Sequence, residues 1–176
     1  MPDNPKSYER KLLEFVGDRA INDAAIQTAF SNLGHLNATP NYIVKTGIND
    51  EDPPPFQVDE GGSLKSRGVV VVWSASPGLH DDKRLQAVNI VLSVGHRDEN
   101  EIDLGDGNAQ QRGKMNNADL AQIIGAAICR ALQKEWIHRA RCNLDIEQLL
   151  DNFYPNFVHQ ISIQMVFPKD YRQPLF

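Results

Sequence analysis

From Asn116 to Pro168 the spacing of apolar residues changes period once, and the change separates two kinds of element. Leu120, Ile123, Ile124, Ala127, Ile128, Ala131 and Leu132 recur at the 3.6-residue interval of a helix face. That stripe predicts a helix of about five turns. Asn116 or Asn117 is its expected cap, with Asp119 in its first turn and Arg130 and Lys134 in its last. From Phe157 to Phe167 the period is two: Phe157, Ile161, Ile163, Met165 and Phe167 alternate against Gln160, Ser162 and Gln164. One apolar and one polar face predict a strand in an antiparallel sheet that is covered on one side only.

Similar patterns run through the rest of the chain. Ser7 is the expected cap of a first helix through Tyr8, Leu12, Phe15 and Val16. A second helix is expected from near Asn22 through Ile26, Ala29, Phe30 and Leu33, stopped by Gly34. Thr39-Pro40-Asn41 breaks the chain before a short strand, Tyr42 to Thr46. Val69 to Ala75, with four valines and Trp73 in succession, predicts a strand buried on both faces. Ser76-Pro77-Gly78 is the expected turn into a hairpin partner, Leu85 to Gly95, where Val88, Ile90, Leu92 and Val94 alternate against Asn89 and Ser93. Arg141 to Ile146 alternates as another strand, Leu149-Leu150 packs a turn, Tyr154-Pro155 opens the final strand and Pro168 ends it.

Two stretches show no period. Ile48 to Gly68 carries Pro53, Pro54 and Pro55, two acidic clusters (Asp50 to Asp52 and Asp59-Glu60) and Gly61-Gly62, and predicts an irregular contact arm. His96 to Met115 is acidic at its start and rich in Gln, Gly and Asn afterward, and is expected to be a second long loop. The expectation is therefore a single α+β domain over residues 1–176. It has a mainly antiparallel sheet, one long helix packed on one face, N-terminal helices, and long loops at 48–68 and 97–115.

Composition narrows the function classes. The apolar fraction of 41% is ordinary for a folded chain. The longest apolar run, Val69 to Trp73, has strand length, far short of the roughly 20 residues of a membrane helix. Met1 to Arg10 is polar and lacks the apolar core of a signal peptide, so synthesis and residence in a cytoplasm are expected. A balance of 18 basic against 23 acidic residues, net charge −5, argues against a dedicated nucleic-acid binder. Cys129 and Cys142 are too few for a disulfide framework and read first as small buried hydrophobes, with a functional thiol or a bridge as the alternative.

Candidate chemistry adds little. Asp98 to Asn108 has the look of a calcium loop, but the closing Glu is missing and Gly105 stands where an oxygen ligand is wanted. His80-Asp81-Asp82 fits a turn solvated by its own charges, and His96, His138 and His159 show no paired ligand spacing. His159 falls on the apolar side of the last strand, where a core or interface histidine is expected. Nucleophile elbows and phosphate-binding glycine motifs do not occur. No catalytic, cofactor or metal residue is thus put forward. The aromatics are the better pointers: Phe56 in the Pro-rich arm, Trp136 at the helix end, and Tyr154 with Phe157 at the last turn. Aromatic groups at element ends often anchor subunit contacts, although for each of them taken alone plain core packing is the favoured reading. With the acids Asp98, Glu99, Glu101 and Asp103 they form the set of candidate assembly contacts.

The order of elements from Val69 to Pro168 resembles the tail terminator and related neck proteins of long-tailed bacteriophages. The stretches that carry it are QAVNIVLSVGHRDE (Gln86–Glu99), NADLAQIIGAAICRAL (Asn117–Leu132), CNLDIEQLL (Cys142–Leu150) and YPNFVHQISIQMVFP (Tyr154–Pro168). What the resemblance implies is a structural virion protein rather than an enzyme. It would form a ring, a hexamer in the family, that caps the tail tube and meets the head-closure or neck proteins. Assembly would take place in the host cytoplasm, with DNA passing the lumen unbound and no membrane or cofactor involved. An acidic protomer repeated around a channel suits that role, because a negative lumen repels DNA. Another neck component such as a head-closure protein, a cytoplasmic α+β enzyme, and an adaptor that binds a peptide along a sheet edge are the alternatives.

Overall fold

The computed structural model describes residues 8–32, 42–46, 68–78, 81–97, 101–105, 108–136, 140–148 and 156–168. Helix α1, Tyr8–Asn22, buries Leu12, Val16 and Ala20, one apolar side chain per turn. Asp23 interrupts the helical path. Its Oδ1 accepts from the backbone N–H of Ala25 at 2.9 Å and of Ile26 at 3.3 Å. Asp23 therefore caps α2, Ala24–Asn32, which buries Ile26, Ala29 and Phe30. The second helix thus starts near Asn22 as expected, with Asn22 itself in the last turn of α1. The expected Ser7 cap and Leu33-Gly34 stop lie outside the described residues.

The strands are β1 (Tyr42–Thr46), β2 (Gly68–Gly78), β3 (Leu85–Arg97), β4 (Glu101–Gly105), β5 (Asn108–Gln111), β6 (Arg141–Gln148) and β7 (Asn156–Pro168). Five of them make one sheet in the order β1-β2-β3-β7-β6, and β4 with β5 makes a separate ribbon. β1 runs parallel to β2, and every other pairing is antiparallel. The fold class is α+β, as the periodicity predicted.

Three expectations shift. Ser76, Pro77 and Gly78 continue β2 instead of turning it. Asp82 makes the turn: its Oδ1 accepts from the Arg84 N–H at 2.9 Å, and its carbonyl accepts from Leu85 N–H at 2.9 Å. Within β2 the pairing passes from Val72 opposite Leu92 to Ser74 opposite Val91, leaving Trp73 as the extra residue of a β-bulge. The bulge changes the parity of the strand. Val70 and Val72 face the core before it and Ala75 after it, while Ser74 and Ser76 face outward.

The expected loop at 97–115 is also replaced. It holds the β4–β5 ribbon, where Gly105 takes a φ of 82° beside a bulge, and the first turn of the long helix. That helix, α3, runs Arg112–Ala131 and continues as a π-turn, Leu132–Trp136. Asn116 and Asn117 are thus inside it and not at its cap, and Asp119 is past its first turn. No capping residue marks Arg112, so local chemistry could not place the start.

α1 lies over β1 and β2, α3 over β3, β7 and β6, and α2 flanks α3. The core lies between these helices and the sheet. Leu120, Ile124 and Ile128 of α3 and Leu132 of the π-turn meet Ile90 and Leu92 of β3 and Ile161 and Ile163 of β7, all essentially without exposure. Each large aliphatic side chain so buried contributes about 1.5–3 kcal/mol. Ile123 departs from the expected stripe and is 38% exposed. α3 packs tightly on the sheet at Gly125, where a Cβ would stand 2.6 Å from Leu144 Cδ1 and 3.2 Å from Ile161 Cγ2. Across the end of the helices, Arg19 Nη2 meets Glu135 Oε2 at 2.7 Å, tying α1 to the π-turn.

Candidate assembly interface

The candidate contacts taken from the sequence do not gather in one place. Phe56, Asp98, Glu99 and Tyr154 lie outside the described residues. Glu101 and Asp103 stand at alternate register positions of β4, and Trp136 ends the π-turn. Phe157 is 3% exposed, at a β7 position that shares the helix-covered face with Ile161. A side chain buried inside its own subunit cannot anchor a neighbour, so Phe157 is corrected to a core residue.

The surface best organised for contact is the sheet face away from the helices. β3 and β7 pair along their whole lengths, and β6 extends them, so side chains of one parity line up in rows across the strands. One row runs Ser76, Asn89, Gln164, Asn143. Within it Gln164 Nε2 donates to Asn89 Oδ1 at 3.4 Å, and Asn143 Nδ2 donates to Gln164 Oε1 at 3.5 Å. The next row runs Ser74, Val91, Ser162, Asp145, and Gln160 Nε2 reaches Ser162 Oγ at 3.5 Å. At the far end Val71, Ser93 and Val158 are buried, and the Trp73 indole N–H donates to Ser93 Oγ at 2.7 Å. The bulge at Trp73 keeps Ser74 and Ser76 on this face.

This face is polar without being charged. From Ala87 to Ser93 of β3 and from Val158 to Val166 of β7 its residues are Ala, Asn, Val, Ser and Gln. Among the residues with described burial, charges return on β6, the last strand of the sheet, where Arg141, Asn143, Asp145 and Glu147 are exposed and Cys142, Leu144, Ile146 and Gln148 are half-buried. Depletion of charge at the centre with a charged rim is the composition of a protein–protein contact. The polar face of β7 and the positions of Asn89 and Ser93 were legible in the alternation. Their alignment with Ser76 and Asn143 was not, because register is set by partners distant in sequence.

Two further features lie on the helix side. An open groove of about 610 Å³ separates α2 from α3, lined by Ala25, Thr28, Asn32, Ile123, Ala126 and Arg130 among others. Its lining is mostly apolar, and among the described residues Arg130 is the only charged group in it. Under α3, Asn117 is fully buried and its Nδ2 lies 2.7 Å from His159 Nδ1 and 3.4 Å from the Val94 carbonyl. Donation from the amide makes Nδ1 the acceptor and puts the imidazole proton on Nε2. Asn117 Oδ1 has no hydrogen-bond partner among the described residues. His159 is therefore a core histidine, at a position its strand parity had indicated.

Among the described residues no helix is long and apolar enough to cross a membrane, and no three His, Cys, Asp or Glu side chains converge as a metal site would need. No protein-family model matches the chain, and no curated protein matches it.

Proposed function

We propose that this chain is a structural virion protein, a tail terminator that caps the tail tube and joins it to the neck as a ring. The observation that carries the reading is the uncharged amide and hydroxyl face spanning β2, β3 and β7, bordered by the charged terminal strand β6. A subunit that must fit several protein neighbours needs a surface that costs little to desolvate, and neutral side chains already bonded to one another supply it. The helix-then-strand order behind the family resemblance supports the same reading, since α3 and β7 form the centre of the fold. The net charge of −5 suits a channel through which DNA slides.

Ring closure requires contacts that are individually weak in solution and strengthened when the tube end holds several subunits together. The test is twofold. Native mass measurement should find a monomer or weak oligomer in free solution, and cryo-EM of virions should place the chain as a ring between tail tube and portal. Density elsewhere, or turnover of a small substrate, overturns the assignment. A peptide adaptor is the second reading, favoured by β6 having no further partner strand among the described residues. Peptide-dependent shifts confined to β6 amides in the isolated chain would favour it over the ring.

A further inference from the structure

The chain has two cysteines, and the fold brings them together. Cys129 sits near the end of α3 and Cys142 is the second residue of β6, so they meet across the helix–sheet boundary. The Cys142 thiol donates to the Cys129 carbonyl oxygen at 3.8 Å, and the two side chains are close enough to perturb each other's ionisation. Both thiols are free. Their surroundings differ: Cys129 is buried beneath the helix, whereas Cys142 is half-buried on the outermost strand.

We propose that Cys129 and Cys142 form a thiol–disulfide exchange site, with Cys142 as the attacking thiol, Cys129 as the resolving thiol, and a small disulfide of the oxidised-glutathione class as co-reactant. The chemistry balances. Cys142 loses its proton and its sulfur attacks one sulfur of the small disulfide, whose S–S bond breaks and releases one thiolate. The result is a mixed disulfide on Cys142. Cys129 then loses its proton and attacks the Cys142 sulfur, forming the internal bond and expelling the second thiolate. Two protein thiols are oxidised, one small disulfide is reduced to two thiols, and the two protons go to the released thiolates.

The difference in exposure assigns the order: Cys142 is half-buried, where a small disulfide can reach it, and Cys129 is buried. The Cys129 S–H stabilises a thiolate on Cys142 and holds that thiol below its usual range, outweighing the opposing effect of burial. The same interaction, reinforced by burial, pushes Cys129 well above the ordinary thiol value. A more acidic, more accessible sulfur backed by a protonated buried one is the arrangement that reacts outward first and closes inward second. Closure would staple the end of α3 to the sheet edge. The proposal does not rest on the assembly reading, and either can fail alone.

The test uses the full-length chain in native buffer with oxidised glutathione, acid quenching and intact mass. Wild type should lose two hydrogens and carry no lasting adduct. Cys129→Ser should retain one glutathione on Cys142, and Cys142→Ser should react at least about tenfold more slowly than Cys129→Ser. Alanine at each position guards against an effect of the new hydroxyl. In urea the two variants should react at similar rates, because the difference comes from the fold. Equal native rates, a wild type that keeps its mixed disulfide without closing, or a rate difference that survives unfolding would each overturn the assignment.

Discussion

Ile123 and Ile124 are neighbours in sequence with opposite surroundings. Ile124 has no exposed surface, and Ile123 lies at the α2–α3 groove with 38% exposed. Ile124→Ala should cost about 2–5 kcal/mol, the range of a large-to-small change in a packed core. Ile123→Ala should stay within about 0.5 kcal/mol. Urea denaturation of both variants checks the helix face directly, since a rotated helix would reverse the two values. Periodicity assigned Ile124 correctly and erred on Ile123, because the stripe was taken as wide enough for both. Only the position of α2 decides where the covered arc ends.

At the scale of elements, the packing of α3 on β6 and β7 includes one position with no room for a side chain. Gly125 weakens a helix interior by about 1 kcal/mol relative to Ala, yet it lets the helix backbone settle against Leu144 and Ile161. Gly125→Leu should lower stability by at least about 1–3 kcal/mol, as overpacking does. Thermal melts of the variant alone and with Leu144→Ala would show the partner relieving part of the loss; independent, additive effects would mean the helix packs elsewhere. α3 and β7 were legible because each is amphipathic with a clean period. The bulge at Trp73 and the start of α3 at Arg112 were not. Both depend on what a segment meets across the sheet, and neither residue carries a local signal. The β4–β5 ribbon was hidden for a related reason, since its short strands are polar and make their ladder only with each other.

At the scale of the molecule, the neutral sheet face and the negative total make separate predictions. If the face is a contact between proteins, Gln164→Lys should leave folding intact, because the side chain is only half-buried, while reducing incorporation into particles at least about tenfold through an unpaired buried charge. Circular dichroism and quantitative immunoblotting of purified virions measure the two halves; unchanged incorporation would remove this face from the interface. The charge balance predicts that purified protein does not retard duplex DNA at physiological salt. The acidic balance was plain from composition, whereas the neutral face emerged only once four strands were in register. The candidate site was therefore legible one strand at a time and not as a surface.

The parallel pairing of β1 with β2 has a consequence for the stretch of chain between them. Two antiparallel neighbours can be joined by a tight turn, but parallel neighbours start at the same end of the sheet. The chain must travel back the full length of a strand before it can begin the next, which takes a dozen or more residues whatever their composition. β1 ends at Thr46 and β2 begins at Gly68, so a large share of the intervening length is a return fare set by topology and only the excess is free for contact. Removing about six residues from this stretch should leave the sheet intact. Cutting it to about five should detach β1, exposing the amides of β2 to hydrogen exchange while β3, β7 and β6 stay protected. An unchanged exchange pattern in the variant cut to about five residues would mean that the return path is not what sets this length.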